Sequence, residues 1–443
     1  MTPDGLRRSL WLFHLYRFLS TSYLFIPVLY LQSRGLSFTE IGLLSTVYCG
    51  TVMLFEVPTG ALADRFGRRK AMAAGSLMMA LGCLVDYCGR SFVAFAAGDG
   101  LLALGMTLTS GADSAYLFDL LRHTGREPEY RRLEGSATAA KLIGTALALL
   151  CGGWVARHDL ALTYAVSAVV CFLSAGIALA LHEPRLRSPW VDEPPPAGHT
   201  WLWPLIRSAI SEVRSRPRLR FAIGFSILVF PLLREGMYLY PIYLKQAGFD
   251  ISLIGLMLAA LTLLGAWSAH GIEGIRLLFG ERKLLVGLPL LMAVTYLAMG
   301  RWFAMWGVAL LMAQMVVNGI YSPFSKELLN REIRDSRQRA TVLSMESMSR
   351  RLVFGLTSPM VGIVMDRLGT PSGFFLCGAI GLLGSGLLYS HRFLAGPRVL
   401  RQGADQDAAL TPSCARATVG TTNHGSAPPA AFAVRPPRHG SAR

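Results

Sequence analysis

A short charged stretch, Gly60 to Lys70, separates two long apolar segments near the start of this chain. One acid, Asp64, precedes four cations: Arg65, Arg68, Arg69 and Lys70. A turn this tight between two membrane helices needs glycine, which tolerates positive φ and close helix approach. Gly60 and Gly67 meet that need. Because cations concentrate on the cytoplasmic side of membrane proteins, the stretch predicts a cytoplasmic turn.

Eight further ionisable residues lie inside apolar segments, where charge is costly and usually functional. At about 1.5 Å per residue, six of them fall in one layer roughly 9–15 Å from the inner helix ends: Arg17, Glu56, Asp113, Lys141, Glu346 and Arg350. Three acids and three bases predict mutual ion pairs. Arg234 and Glu235 lie nearer the middle and point about 100° apart, so they cannot share a partner. A proton-carrying, substrate-facing network and static salt bridges are both open interpretations.

Enzymatic patterns are missing from the sequence. It contains neither a phosphate-binding Gly-x-x-x-x-Gly-Lys-Ser/Thr loop nor a His-Glu-x-x-His metal motif. Gly98-Asp99-Gly100 is superficially like the Gly-x-Gly-Asp motif of intramembrane aspartyl proteases, but Ala96 replaces the first glycine and Asp86 has no convincing role as second catalyst. We therefore expect no enzyme, no cofactor and no metal.

Composition places the chain in a membrane. Of its 443 residues, 52% are hydrophobic and only 16% are charged, whereas a soluble protein carries about a quarter charged residues. A span needs ~20 apolar residues, and such segments recur. The sequence predicts an all-α polytopic membrane protein with twelve transmembrane helices, at about 10–31, 38–62, 71–90, 92–121, 135–157, 161–182, 220–245, 251–274, 283–299, 302–328, 340–366 and 372–394.

The net charge of +16 could indicate a nucleic-acid partner, but its distribution indicates a lipid bilayer instead. Most of the 43 Lys and Arg residues fall in loops on one side of the expected spans. By the positive-inside rule, that side and both termini are cytoplasmic. We expect a multi-pass protein of the cytoplasmic (inner or plasma) membrane with no nucleic-acid partner.

The spans group into two halves. Residues 1–182 form a six-helix half and residues 220–395 a second one. Between them, 183–219 is a Pro-rich cytoplasmic linker in which Trp201 to Val213 could form a surface helix. Residues 396–443 should be a disordered cytoplasmic tail. A shift of 213 residues aligns 35–70 on 248–283, where glycines and the basic turn recur but Leu277 replaces Asp64.

The pattern Gly-x-x-x-Asp-Arg-x-Gly-Arg-Arg-Lys between the second and third spans resembles motif A of the major facilitator superfamily. Together with the parallel repeat, the resemblance covers roughly residues 10–394 and implies that family's fold of two pseudo-symmetric six-helix halves. It implies that Asp64 meets the start of the eleventh helix and that Arg68 meets Asp119 at the end of the fourth, which holds the halves together in one state. A purely topological basic loop is the competing interpretation. Because spans one and four line the cavity in this family, Arg17–Asp113 is the preferred pair within the layer.

The fifth span resembles motif C, a glycine-rich signature of antiporters in the same superfamily. Gly144, Gly152 and Gly153 match it, whereas Ala148-Leu149 stands where the motif has Gly-Pro. Small residues let helices approach closely, so common glycine packing explains the pattern equally well.

Three functions follow from these observations. The first is a monomeric exporter that moves a small organic molecule by alternating access, driven by protons. The second is an importer or facilitator of a polar metabolite on the same fold. The third is a non-transporting membrane receptor or assembly protein, against which twelve spans and an intact motif A argue.

Overall fold

The computed structural model describes residues 3–24, 26–183, 207, 211, 213–333 and 336–390. The expected surface helix Trp201–Val213 lies mostly outside these described residues, and the tail 396–443 lies wholly outside them. The described chain is helical, with short turns between the helices.

Helices follow one another along the whole described chain. The first eight are α1 Pro3–Leu19, α2 Pro27–Ser33, α3 Phe38–Phe66, α4 Arg68–Cys88, α5 Phe92–Thr109, α6 Ala112–His123, α7 Tyr130–Ala156 and α8 Leu160–Ala180. The next seven are α9 Pro217–Gln246, α10 Ile251–His270, α11 Ile272–Phe279, α12 Glu281–Arg301, α13 Val308–Glu332, α14 Ser336–Leu368 and α15 Thr370–Tyr389. We call the end of the bundle that holds the α3–α4 turn the basic end, and the end that holds the α2–α3 turn the far end.

Two of the spans that the sequence predicts as continuous are broken. Span 10–31 is interrupted between Leu19 and Pro27, because a proline lacks the N–H that an unbroken helix requires. The backbone N–H of Leu24, left unpaired by the break, donates to Ser167 Oγ at 2.9 Å. Span 92–121 is interrupted at Gly111, whose φ of +80° turns the chain out of the α-helix.

The twelve-span count is confirmed for ten segments of the described chain, which are long and apolar enough to cross a membrane. The first expected span falls short because its break leaves helices of 17 and 7 residues. The eleventh, α14, has 33 residues but carries many charges in its first half. An all-helical membrane fold is therefore confirmed, with two spans departing from uniform apolarity.

The internal repeat is visible in the backbone. Gly35 and its repeat partner Gly248 have φ of +88° and +90°, and Gly67 and Gly280 have +98° and +74°. Side chains other than glycine are strained at such angles. The turns before and after the second membrane span of each half (α3 in the first half, α10 and α11 in the second) therefore require glycine because of their positive φ.

Close glycine contacts also fix the helix packing within the first half. Gly75 of α4 faces Gly105 of α5, and a Cβ at Gly105 would lie 2.6 Å from Met79 Cγ. Without a large hydrophobic drive between helices in lipid, such close backbone approach is a main source of helix association.

We expect Gly105→Ala to lower the melting temperature of the purified protein in detergent, because overpacking costs about 1–3 kcal/mol. Gly100→Ala is the matched control on the same helix, since a Cβ there meets nothing within 4 Å. Alanine should stabilise that position by up to about 1 kcal/mol. Unfolding is monitored by tryptophan fluorescence. Equal melting temperatures for the two variants would contradict this packing.

Candidate functional site

A cavity of about 900 Å³ lies in the bundle and is lined by helices from both halves. Towards the far end its lining residues Ile26, Ile41, Leu44 and Phe95 are buried. His270 at the end of α10 and Lys326 near the end of α13 also line it and are exposed. The cavity is therefore closed towards the far end and open at the basic end.

The break in the first span contributes directly to this cavity. Thr21, Tyr23 and Pro27, within or beside the break, are lining residues. Irregular backbone at membrane depth is tolerated where it is buried in protein or lines a polar space. The interruption thus gives the cavity side chains that a continuous helix would point elsewhere.

Charged residues in the cavity wall come from both halves. Asp86 of α4 and Asp99 of α5 contribute carboxylates, and Arg234, Lys326 and Arg351 contribute cations from α9, α13 and α14. Asp86 is 3% exposed, and its carboxyl packs over Gly98, where a Cβ would lie 2.6 Å from Asp86 Cγ. Asp86, Asp99, Arg351 and Lys326 were not predicted as cavity residues. Asp99 could have been predicted from the sequence, because it is a carboxylate inside an apolar segment.

The predicted pair Arg17 and Asp113 is brought together as an ion pair. Arg17 Nη2 also lies 3.4 Å from Glu134 Oε1, and the side chain of Arg17 is only 7% exposed. Asp113 Oδ1 accepts a hydrogen bond of 2.7 Å from the backbone N–H of Ser114, in the first turn of α6. The break at Gly111 thus places this carboxylate at a helix start, where negative charge is favoured.

A second cluster lies in the other half. Glu346 is buried, accepts a hydrogen bond from Ser226 Oγ and lies 3.5 Å from Arg350 Nε. The guanidinium of Arg350 lies 4.6 Å from the Phe230 ring centroid, and that of Arg234 lies 5.8 Å from the same centroid. Cation–π contacts of this kind stabilise a guanidinium where water is scarce.

Arg234 and Glu235 have different surroundings, as their spacing predicts. Arg234 faces the cavity, whereas Glu235 is 4% exposed and has Ser358 Oγ at 3.5 Å from its Oε2. Glu235 Oε1 has no hydrogen-bond partner among the described residues.

The expectation that one layer of charges lines the cavity is corrected. Of the eight residues, Arg234 belongs to the lining; Arg17, Glu56, Asp113, Lys141, Glu235, Glu346 and Arg350 do not. Glu56 and Lys141 form no ion pair with any described residue. Position in the sequence gives depth at about 1.5 Å per residue, but the facing direction turns by about 100° at each residue. Residues at one depth therefore divide between cavity, helix interface and lipid.

Arg68 in the motif A turn binds two acids. Its Nε lies 2.9 Å from Asp119 Oδ2, and its Nη2 lies 3.0 Å from Asp64 Oδ1. The side chain of Asp64 is 64% exposed. The contact that the resemblance implies for Asp64 involves the chain entering α14, where residues 334 and 335 and several following side chains lie outside the described part.

The neighbouring motif A residues have separate roles. Arg69 Nε lies 3.2 Å from Glu183 Oε2, an acid that the sequence assigns to the linker. A Cβ on Gly67 would lie 2.6 Å from Glu183 Oε1, the end of a flexible side chain that can move aside, so it is the φ of +98° that requires glycine here. The guanidinium of Arg65 lies 5.7 Å from the Phe66 ring centroid. Gly60, also expected to serve the turn, lies inside α3 instead, and a Cβ there would meet nothing within 4 Å among the described residues, so that expectation was wrong for Gly60.

At the far end, the two halves are joined by a carboxylate and a helix N-terminus. Asp366 of α14 accepts hydrogen bonds from the backbone N–H groups of Phe38 and Thr39, at 2.9 and 2.8 Å, and from Thr39 Oγ1 at 2.6 Å. Thr46 Oγ1 donates to the Gly355 carbonyl at 2.5 Å. The first turn of a helix carries unpaired N–H groups and a partial positive charge, so Asp366 stabilises the closed far end.

The motif C-like glycines pack against two different partners. A Cβ on Gly144 would overlap the Phe18 carbonyl, and one on Gly152 the Leu24 carbonyl, both in the first span. Gly153 instead crosses between the halves, where its Cβ would lie 2.7 Å from Gly255 Cα of α10. Gly153 therefore contributes to the same far-end closure as Asp366.

Comparisons with known proteins agree with this architecture. The family model described as Major Facilitator Superfamily matches residues 10–273. Multidrug resistance protein MdtH of Proteus mirabilis is 25% identical over 345 residues, covering 74% of this chain and 73% of that protein. Inner membrane transport protein YajR of Escherichia coli is 27% identical over 259 residues, covering 56% and 53%.

Solved structures show the same fold at low identity. The nucleoside transporter NupG has a TM-score of 0.71 at 12% identity, covering 86% of this chain and 98% of its own. The D-xylose-proton symporter has a TM-score of 0.66 at 13% identity, covering 89% and 98%.

The Asp366 contact gives a testable shift between conformations. Asp366→Ala should increase the population with an open far end about fivefold, since losing a helix cap costs roughly 1 kcal/mol. Spin labels at Ser33→Cys and Leu368→Cys, one in each half, would report this as longer distances by double electron–electron resonance, in a background whose native cysteines, among them the exposed Cys88 and Cys151, are replaced. Asp159→Ala is the control, because Asp159 caps α8 within its own half. Identical distance distributions in both variants would rule out the proposed contribution of Asp366.

Proposed function

This chain belongs to the major facilitator superfamily of membrane transporters, and we propose from that membership that it exports a small organic molecule in exchange for protons. It is a secondary transporter and not an enzyme. The proposal adds the direction of transport, the ion that drives it and the residues that couple the two.

The observation that carries the proposal is a cavity open at one end and closed at the other by contacts between the halves. Asp366 with the start of α3, and Gly153 with Gly255, close the far end. These contacts are small and polar or purely steric, so they can separate without unfolding either half. A second state, with these contacts released and the basic end closed, would complete alternating access.

The proposed direction, export, is supported by the charge distribution and by the names of relatives. By the positive-inside rule the basic end is cytoplasmic, which puts both termini inside and opens the cavity to the cytoplasm. A substrate would then enter from within the cell or from the inner part of the bilayer. Relatives named for multidrug resistance, at 25% identity over most of the chain, support export.

Coupling is assigned first to Asp113. Its ion pair with Arg17 joins the start of α6 to α1 within one half, at a break where the chain can change direction. An opposite charge favours the ionised carboxylate, and loss of that charge in a water-poor site favours the protonated form. A cycle that separates Asp113 from Arg17 would therefore carry a proton. Glu235, with an unpartnered Oε1 among the described residues, is the second candidate.

Motif A is assigned a gating role at the cytoplasmic face. Arg68 joins Asp64 to Asp119, which ties the α3–α4 turn to the end of α6. Asp64 pairs with Arg68 through Oδ1, and its side chain is largely exposed, so this carboxylate can also meet the start of α14 when that side closes. We place the working protein as a monomer in the cytoplasmic membrane, with protons, lipid and a small molecule as its partners.

Proton coupling is tested with Asp113→Asn, which imitates a permanently protonated carboxyl. A growth screen against antibiotics and dyes, in a host lacking its own major exporters, first identifies a transported compound. In everted vesicles energised by respiration, the rate of uphill uptake of that compound should be at least about tenfold lower for Asp113→Asn than for wild type. Counterflow exchange, which needs no gradient of protons, should continue in the variant. Glu273→Gln, an exposed acid of α11, should behave as wild type.

Two results would count against this assignment. Uphill uptake at the wild-type rate by Asp113→Asn would remove Asp113 from coupling. Uptake by the wild-type protein that does not respond to collapse of the pH gradient would remove protons as the driving ion.

A further inference from the structure

We infer that the central cavity binds an amphipathic zwitterion, with its amine cation at Asp86 and Asp99 and its anionic group at Arg234 and Arg351. The inference rests on the proposed function only in treating the bound molecule as the transported substrate. It names the chemical class of the ligand, and it is tested by binding alone.

Charges of opposite sign are segregated in the cavity wall. The acids that line it, Asp86 and Asp99, both belong to the first half. The second half supplies Arg234, Arg351 and Lys326. Within the described lining, the first half contributes no Lys or Arg and the second half no Asp or Glu. The cavity therefore has a negative side and a positive side that face each other across the space between the halves.

These opposite charges do not neutralise one another. Among the described residues, Asp86 and Asp99 have no Lys, Arg or His nitrogen within 4.0 Å, and Asp86 Oδ1, although buried, has no hydrogen-bond partner. On the other side, Arg234 contacts the Phe230 ring, and Arg351 Nε lies 3.5 Å from Ser347 Oγ. Buried charges are normally paired. The described residues thus provide no cation for the acids on one wall and no carboxylate for Arg234 and Arg351 on the other, which indicates that the ligand supplies both counter-charges.

The positions along the helices separate the two charged sides. Asp86 is two residues from the far end of α4, and Asp99 lies in the far-end half of α5. Arg234 and Arg351 lie near the middle of α9 and α14. Lys326 continues the positive side towards the open basic end. A ligand that bridges the two sides therefore points its amine inward and towards the far end.

The wall between the charged sides is mostly apolar and aromatic. Tyr48, Tyr238, Met106 and Phe354 are among the residues that line it. A volume of about 900 Å³ is at the upper end of the range for small-molecule sites, roughly 300–1,000 Å³. Aromatic faces also attract organic cations. The ligand should accordingly have an apolar or aromatic body between its two charged groups.

Binding is tested with the purified full-length chain in nanodiscs and two matched sets of probes. One set is tryptophan, tryptamine and indole-3-propionate; the other is the dipeptide Phe-Leu, its C-terminal amide and its N-acetyl derivative. Each set holds the apolar body constant and presents a zwitterion, a cation only and an anion only. In at least one set, we expect the zwitterion to bind about tenfold or more tightly than either singly charged probe in isothermal titration.

Variants assign each charged group to its side of the cavity. Asp99→Asn should remove the advantage of the zwitterion over the anion-only probe, and Arg234→Gln its advantage over the cation-only probe. Asp86→Asn tests the buried carboxyl, and the Asp99 variant keeps the test valid if the Asp86 variant does not fold. Glu273→Gln, outside the cavity, should leave all affinities unchanged.

Several outcomes would overturn the inference. They are equal affinity of a zwitterion and a singly charged probe in both sets, absence of binding by every probe, or unchanged selectivity in both the Asp99 and Arg234 variants. Because no gradient is applied, selective binding without proton-driven uptake would retain the inference and reject the proposed function. Proton-driven uptake without charge-selective binding would retain the proposed function and reject the inference.

Discussion

An ionised side chain inside a membrane protein needs a counter-charge or a set of hydrogen bonds, and much of this structure depends on how that need is met. Arg17 and Asp113 satisfy each other within the first half, and Glu346 is satisfied by Ser226 and Arg350 within the second. Asp366 is satisfied across the halves by the start of α3. The first two arrangements join helices within one half, whereas the third exists only while the far end is closed. A contact between the halves therefore stabilises one conformation directly, and a pair within one half responds to the conformation only when its own helices move.

At the basic end, each half has an ion pair between its turn and a neighbouring helix, but the turn supplies the cation in the first half and the acid in the second. Arg68 follows Gly67 and pairs with Asp119, whereas Glu281 follows Gly280 and pairs with Arg331 through two contacts of 2.6 and 2.9 Å. The repeat therefore preserves an ion pair between the turn and a neighbouring helix, although the charges have exchanged places. Loss of the Asp64 equivalent, replaced by Leu277, does not leave the second turn without polar contacts. The exposed Asp64 marks the turn of the first half as the one that can bind another element.

The sequence was sufficient for the elements and for one turn, because apolar length and turn chemistry are local properties, and the positive φ of Gly67 was accessible in this way. The Arg17–Asp113 and Arg68–Asp119 pairs came instead from the resemblance to the family, which relates segments that are distant along the chain. The grouping of charges around the cavity was not accessible, because depth does not determine the facing direction of a helical residue. Glu183 was missed because it follows α8 in a stretch that composition assigns to a linker. The helix breaks at Pro27 and Gly111 were also missed, although both residue types are known helix breakers.

The space left by the missing side chain of Gly98 has a consequence for what the cavity can hold. The carboxyl of Asp86 occupies the place where a methyl group at position 98 would stand. An alanine there would displace that carboxyl, and because Asp86 is otherwise buried, the cavity is the direction with room to receive it. The distance between the two charged walls would then shorten without any change in the charges themselves. For the zwitterion that we infer, an alanine at position 98 would therefore favour molecules with a shorter distance between their two charged groups.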